Sequence, residues 1–337
     1  MATKRLTPDE LDEAAQLLKD GQLVAFPTET VYGLGADATN VAAVKQVYQA
    51  KGRPSDNPLI VHVADPEMVM TYADVSADAH RLMTEFWPGP LTIILPIKPH
   101  ALAKEVTGGL NTAAFRLPAN DTTRELIRRA GVPMVGPSAN TSGKPSPTTA
   151  THVLHDLDGK IAAVVDDGPT KVGVESTVID MTVTPPAVLR PGAIDAAMLY
   201  PVIGEVATEV HKVGAKETPK APGMKYKHYA PNAQVVIVRT EADFDAAIAW
   251  AEQQDDVFGV LATDHVLATL PATMPQFSLG QDVTSAAHNL FAGLRYFDNH
   301  PDVKMVLAEG FETTGLGSAY MNRINKSAGG QYFTATE

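Results

Sequence analysis

Residues 51–63 read KGRPSDNPLIVHV, and the division of this stretch decides what kind of sheet the chain builds. Gly52 ends a helical spacing that runs from Asn40 to Ala50. Pro54 and Pro58 bias Arg53 and Asn57 away from the helical region. Leu59 to Val63 then reads as a short apolar strand. Outward from here, Thr7-Pro8-Asp9-Glu10 forms a capping box that opens a helix running to Gly21. Leu23 to Phe26 is a strand, Ser76 to Phe86 a helix and Leu91 to Ile97 a strand. Ala113 to Leu117, Val132 to Val135, Ile161 to Val165, Thr177 to Met181 and Ala187 to Arg190 are further short strands, several with no helix predicted between them. That irregularity predicts a mixed, twisted sheet with flanking helices, an α/β (α+β mixed) domain distinct from a regular doubly wound fold.

The periodicity fails from about Ile194 to Asn232, where HKVGAKETPKAPGMKYKHYAP holds five lysines and one acid. This is a linker by composition. Beyond it strand and helix spacings alternate: Gln234 to Arg239, Asp243 to Gln253, Val257 to Ala262, Asp282 to Phe297, Val303 to Ala308 and Ser318 to Ala328. A smaller parallel α/β domain is expected. The division is residues 1–200, a linker at 201–231, and 232–337.

A chain of 337 residues exceeds what one core usually organises. No apolar run reaches the length of a membrane span and the N-terminus lacks a signal pattern, so a cytoplasmic protein with no membrane partner is expected. Without cysteine there is no disulfide, thiolate metal site or thiol catalysis. A net charge of −12 disfavours a broad nucleic-acid face. A basic patch must be local.

Two phosphate-binding signatures fail on inspection. SANTSGKP, 138–145, has Ser138 where a P-loop needs its first glycine and Pro145 where it needs a hydroxyl. GLGADA, 33–38, has no helix opening within its glycines. The better candidate is residues 51–63 itself. An extended backbone sends Lys51 and Arg53 to one side, where a point charge and a bidentate fork suit a polyphosphate. As ordinary solvated charges they would instead complement a helix end. His62 interrupts an apolar strand and Arg116 ends one. For each, anion recognition stands beside a structural role, a satisfied histidine or a salt bridge. GPSANTSGKPSPTT, 136–149, is either a surface loop or a cradle of hydroxyl, amide and N–H donors. Ser176 and Thr177 are open in the same way.

FPTETVYGLG (26–35), KGRPSDNPLIVHV, FWPGPLTIIL (86–95), FRLP (115–118), PSANTSGKPSPT (137–148), GVESTVID (173–180), LRPGAI (189–194) and APGMKYKHYAP (221–231), in this order, resemble the L-threonylcarbamoyladenylate synthase family in its long, two-domain form. The resemblance is dense over residues 1 to about 231, and rests on position and pattern beyond. One departure is Asn120, where many relatives carry histidine.

The resemblance implies a YrdC-like catalytic domain linked to a Rossmann-like C-terminal domain. It also implies synthesis of threonylcarbamoyl-AMP from L-threonine, bicarbonate and ATP, with magnesium escorting the triphosphate and no metal held by the protein alone. The product feeds a tRNA threonylcarbamoyltransferase complex that modifies ANN-decoding tRNAs. By the same resemblance Lys51, Arg53, Asn57, Thr112, Ser138, Asn140, Ser146, Arg190 and Tyr229 hold ATP, and Thr30, Tyr32, His62, Arg116 and Ser176 hold threonine. Lys51, Arg53 and Tyr226 serve catalysis, and residues 225–229 form a lid over the cleft. Two other functions stand beside this one. A weak RNA-binding module is disfavoured by charge, and a carbamoyl-transfer module of the hydrogenase-maturation type by the missing cysteines and acyl-phosphatase segment.

Overall fold

The computed structural model describes residues 2–208, 219–220 and 228–334. The chain divides into two compact units, residues 1–142 with 146–226 and residues 143–145 with 227–337.

In the first unit, strand β1 (Lys4–Leu6) leads through a 3₁₀ turn at Pro8–Glu10 into helix α1 (Leu11–Lys19), which buries Leu11, Ala14, Ala15 and Leu18. The capping box is present at Thr7. There follow β2 (Val24–Phe26), β3 (Gly33–Asp37), α2 (Val41–Lys51), β4 (Ile60–His62), α3 (Pro66–Tyr72), α4 (Ala77–Phe86), β5 (Leu91–Pro96), α5 (Lys104–Thr107) and β6 (Thr112–Arg116). The unit then runs through α6 (Asp121–Ala130), β7 (Met134–Val135), α7 (Ala150–Leu157), β8 (Ala163–Val165), β9 (Thr177–Asp180), β10 (Ala187–Arg190) and α8 (Ala196–Ile203). The ten strands form one mixed sheet in the order β1-β8-β2-β3-β7-β4-β6-β5-β9-β10. Two apolar clusters cover it, one around Val44, Val61, Leu82, Ile93 and Phe115 and the other around Leu18, Phe26, Leu126 and Val165.

Two expectations are corrected here. Helices do separate the later strands: α6 lies between β6 and β7, and α7 between β7 and β8. In α6 the buried stripe is only Thr123, Leu126, Ile127 and Ala130 among charged neighbours, so its signal lies in its ends more than in its hydrophobicity. Asn120 caps it by accepting from Thr123 N at 2.8 Å, and Gly131 closes it. The stretch from Ile194 is not patternless at its start, because Asp195 caps α8 through Met198 N at 2.9 Å. Pro201 lies inside that helix and reads as a breaker, yet a short helix tolerates it in its last turn. GLGADA is itself strand β3. A Cβ on Gly33 would meet the Phe26 ring at 2.5 Å, and one on Gly35 would meet the Val24 carbonyl oxygen at 2.6 Å. The glycines let β2 and the Phe26 ring lie close against β3, which is why the motif needs no phosphate to explain it.

The second unit is a four-stranded parallel sheet, order β11-β14-β12-β13. Its elements are β11 (Gln234–Val238), α9 (Phe244–Ala251), β12 (Val257–Ala262), α10 (Asp264–Leu267), β13 (Gln276–Ser278), α11 (Val283–Asp298), β14 (Val303–Glu309) and α12 (Leu316–Ala328). The expected alternation omits α10 and β13, of four and three residues, which are too short to show a period. Gly143–Pro145 belongs to this unit: Lys144 Nζ donates to Asn232 Oδ1 at 2.6 Å and Arg295 Nη2 to the Pro145 carbonyl at 2.6 Å. Among the described residues no helix is long and apolar enough to cross a membrane.

Candidate active site

Strands β4 and β6 run parallel with His62 paired to Arg116, so both side chains leave the same face at neighbouring strand ends. Arg116 is 4% exposed. Its Nε donates to the Gly89 carbonyl at 3.3 Å, its Nη1 to Thr30 Oγ1 at 2.8 Å, and its Nη2 lies 2.6 Å from Glu29 Oε1. Proton directions in the adjoining turn are fixed by one acceptor. Thr28 donates to the Val31 carbonyl at 2.6 Å, so the 2.9 Å contact between the Thr28 and Thr30 hydroxyls runs from Thr30 to Thr28. Both hydroxyl protons are thus committed, and Thr30 Oγ1 is held as an acceptor for Arg116.

His62 packs edge-on against Phe26, with ring centroids 5.2 Å apart, and its buried Nδ1 makes no hydrogen bond. Burial first, and the Arg116 charge second, pull its pKa down from the ordinary 6.5 to about 3. The ring is neutral at physiological pH, so the positive charge of this His62–Arg116 pair is the guanidinium alone. One residue beyond the pairing of Ile93 with Phe115, Thr92 on β5 comes level with Arg116. The Thr92 hydroxyl shares a 2.8 Å hydrogen bond with Ser176 Oγ at the start of β9. Arg190, from β10, donates to Ser176 Oγ at 3.1 Å and to its carbonyl at 3.0 Å. The sheet thereby brings Thr30, His62, Arg116, Ser176 and Arg190 from five places in the sequence to one end of adjacent strands.

Lys51 and Arg53 are 2% and 9% exposed, so the reading of them as solvated helix-end charges does not hold. The backbone between them is not extended, because α2 ends on Gly52 at φ 63°. Lys51 Nζ donates to the carbonyls of Ser138 and Asn140, the latter at 2.6 Å, while its own carbonyl accepts from Ser142 N at 2.8 Å. The 138–142 loop is drawn onto the end of α2. Arg53 Nη2 donates to the Pro58 carbonyl at 3.2 Å, inside its own loop. Tyr48 donates to the Asn57 and Glu105 carbonyls at 3.2 and 2.8 Å, pinning that loop, and Asn57 Oδ1 is buried with no hydrogen bond. Ser146 donates to Glu175 Oε1 at 2.5 Å.

Other expected residues lie apart from these. Thr112 opens the strand that Arg116 closes, about 13 Å away along it. Tyr32 is fully buried and donates to the Gly168 carbonyl at 2.6 Å rather than to any of the residues around Arg116. Burial and the Asp166 charge raise its pKa. Tyr229 lies in the second unit against Phe291, centroids 5.2 Å apart. Tyr226, with residues 225 and 227 of the expected lid, lies outside the described residues.

Sequence reasoning gave no role to Glu29, Thr28, Thr92 or Glu175. For Glu29 a signal existed: an acid between two threonines in FPTETVYG, with no helical spacing to carry it to solvent. Thr92 had none, since a threonine in a strand is ordinary.

Residues 16–192 match the family described as "Telomere recombination" (Sua5_yciO_yrdC), and residues 194–329 match "Threonylcarbamoyl-AMP synthase, C-terminal domain". The threonylcarbamoyl-AMP synthase of Bacillus subtilis strain 168 is 46% identical over 98% of this chain and 99% of its own length. That of Pyrococcus abyssi is also 46% identical, over 94% and 93%. The crystal structure of P. abyssi Sua5 complexed with L-threonine superposes with a TM-score of 0.92, at 42% identity over 99% of both chains. With a YrdC-type mixed sheet followed by a Sua5-type parallel domain, the chain belongs to the threonylcarbamoyl-AMP synthase family of enzymes.

Proposed function

We propose that this chain makes L-threonylcarbamoyl-AMP from L-threonine, bicarbonate and ATP, releasing pyrophosphate, as the first step of threonylcarbamoyladenosine modification of ANN-decoding tRNAs. The observation that carries the reading is Arg116. It is a buried guanidinium with Thr30, His62 and Ser176 gathered around its strand end, and a relative of nearly the same length and fold has been crystallised with L-threonine. In this reading the threonine carboxylate meets Arg116, with Thr30, His62 and Ser176 around it.

The amine adds to bicarbonate to give a carbamate and water. The carbamate oxygen then attacks the α-phosphorus of ATP, a new P–O bond forms, and the bond to pyrophosphate breaks. Carbamate and triphosphate repel each other, by about 4 kcal/mol per charge pair at 4 Å in an effective dielectric near 20. Lys51, Arg53 and Arg190 offset that repulsion, with Asn57, Thr112, Ser138, Asn140 and Ser146 supplying hydrogen bonds to phosphate, ribose and base. Lys51 and Arg53, already buried, gain anionic partners without first being stripped of bulk water. Catalysis by positioning and charge neutralisation needs no covalent intermediate.

Magnesium, carried in mainly on the ATP phosphates, supplies further charge neutralisation. Asn57 Oδ1, buried and without a hydrogen bond, is a hard oxygen of the kind such an ion accepts, directly or through water. Tyr226 and Tyr229 are assigned to a lid that keeps water from the mixed anhydride. The expected setting is the cytoplasm, with a tRNA threonylcarbamoyltransferase complex receiving the product.

The test is pyrophosphate release with threonine, bicarbonate and ATP present together and each omitted in turn. Release that needs all three supports the reading; release unaffected by omitting threonine overturns it.

A further inference from the structure

Glu29 has no task in the mechanism above, and its surroundings call for one. It is 8% exposed, and its main chain is fixed by Lys171 N and Val172 N donating to its carbonyl at 3.0 and 2.7 Å. Its carboxylate lies in ion-pair contact with Arg116 Nη2 at 2.6 Å, yet neither carboxylate oxygen accepts a hydrogen bond of sound geometry, and Nη2 donates none. The neighbouring hydroxyls have no proton to spare for it, since those of Thr28 and Thr30 are spent on Val31 and Thr28. A buried carboxylate that accepts no hydrogen bond is costly to keep. A ligand that brings donors removes that cost.

The charge balance states which ligand. Arg116 alone would make a pocket for an anion. Glu29 beside it brings the pair to zero net charge, and His62 adds none. A neutral pair of opposite charges, side by side and fixed, is complementary to a molecule that is itself a neutral pair of opposite charges.

We propose that Glu29 is the subsite for the α-ammonium group of the amino-acid substrate. The Arg116–Glu29 pair then reads the zwitterion as a unit, carboxylate on Arg116 and ammonium on Glu29. The inference rests on the threonine reading given above and sharpens it. Glu29 attracts the amine and, by the same charge, repels any carboxylate ligand that lacks one. It also fixes the nitrogen that, once the ammonium has released a proton to water, adds to bicarbonate.

The test is calorimetric titration of the full chain with L-threonine and with 3-hydroxybutanoate, which is threonine without its amine. The wild-type chain is expected to bind threonine and to bind 3-hydroxybutanoate on the order of 100-fold more weakly. Glu29→Gln is expected to weaken threonine by about 10- to 100-fold while leaving 3-hydroxybutanoate as good as or better than in the wild type. Glu29→Asp keeps the charge and is expected to keep the preference for the amine, and ATP binding by each variant reports that the unit is folded. Equal wild-type affinity for the two ligands would overturn the proposal without need of a variant. So would a parallel loss of both ligands in Glu29→Gln, the mark of a residue that only holds Arg116 in place. A wild-type chain that binds no threonine sinks the functional reading itself, and this inference with it.

Discussion

His62 shows at the scale of one residue how burial selects a chemical state. The folded chain keeps the ring neutral down to about pH 3, whereas the unfolded chain protonates it below about 6.5. Unfolding between those values takes up a proton, so the stability this residue allows is full above pH 6.5 and falls as the pH is lowered. From pH 7 to pH 5 the loss is about 2 kcal/mol. Urea unfolding at the two pH values is expected to show His62→Gln losing less stability than the wild type by roughly that amount; equal losses would mean the ring is solvated. In the sequence, His62 and Arg116 were legible as misfits in apolar strands, but not as neighbours, because only the β4–β6 pairing sets them side by side. Glu29 carried a signal, an acid between two threonines, but nothing in the sequence set it beside Arg116.

At the scale of elements, the site depends on how closely β7 approaches β4. Gly136 follows β7, and a Cβ there would stand 2.6 Å from His62 Nδ1 and 2.6 Å from the end of the Phe26 ring. Gly136→Ala is expected to cost about 1–3 kcal/mol by overpacking and to weaken threonine binding more than ATP binding, because the ring that must move lies beside Arg116. Unfolding and binding measured on the same variant check this; a stable variant with unchanged threonine affinity would place His62 outside the site. Elements whose burial matched their period were legible: α4 and β5 fall within a residue of expectation, and α1 differs in that its first turn, Pro8–Glu10, is 3₁₀. Among those that were not, α6, α7, α8, α10 and β13 are short or strongly charged, and their formation is decided by caps and tertiary packing more than by periodicity.

At the scale of the whole molecule, a net charge of −12 limits what the chain can hold by electrostatics. In the first unit Lys51, Arg53, Arg116 and Arg190 are buried singly, a placement suited to small anions rather than to a polynucleotide backbone. Filter binding of tRNA is therefore expected to be weak and to fall to background as salt rises from about 50 to 200 mM; retention at the higher salt would call for a basic surface. The order of motifs along the chain made the family legible, while the division of labour between subsites was not, since it depends on which buried charges the fold keeps together. Lys51 binds the 138–142 loop and Arg116 the Glu29–Thr30 turn, so the two cations should serve different ligands. Titration of L-threonine and of ATP into the wild-type chain, Arg116→Ala and Lys51→Ala measures that separation most directly. Arg116→Ala is expected to lose threonine by about 100-fold and to keep ATP, Lys51→Ala to do the reverse. Threonine binding that survives Arg116→Ala unchanged would contradict the assignment of the site.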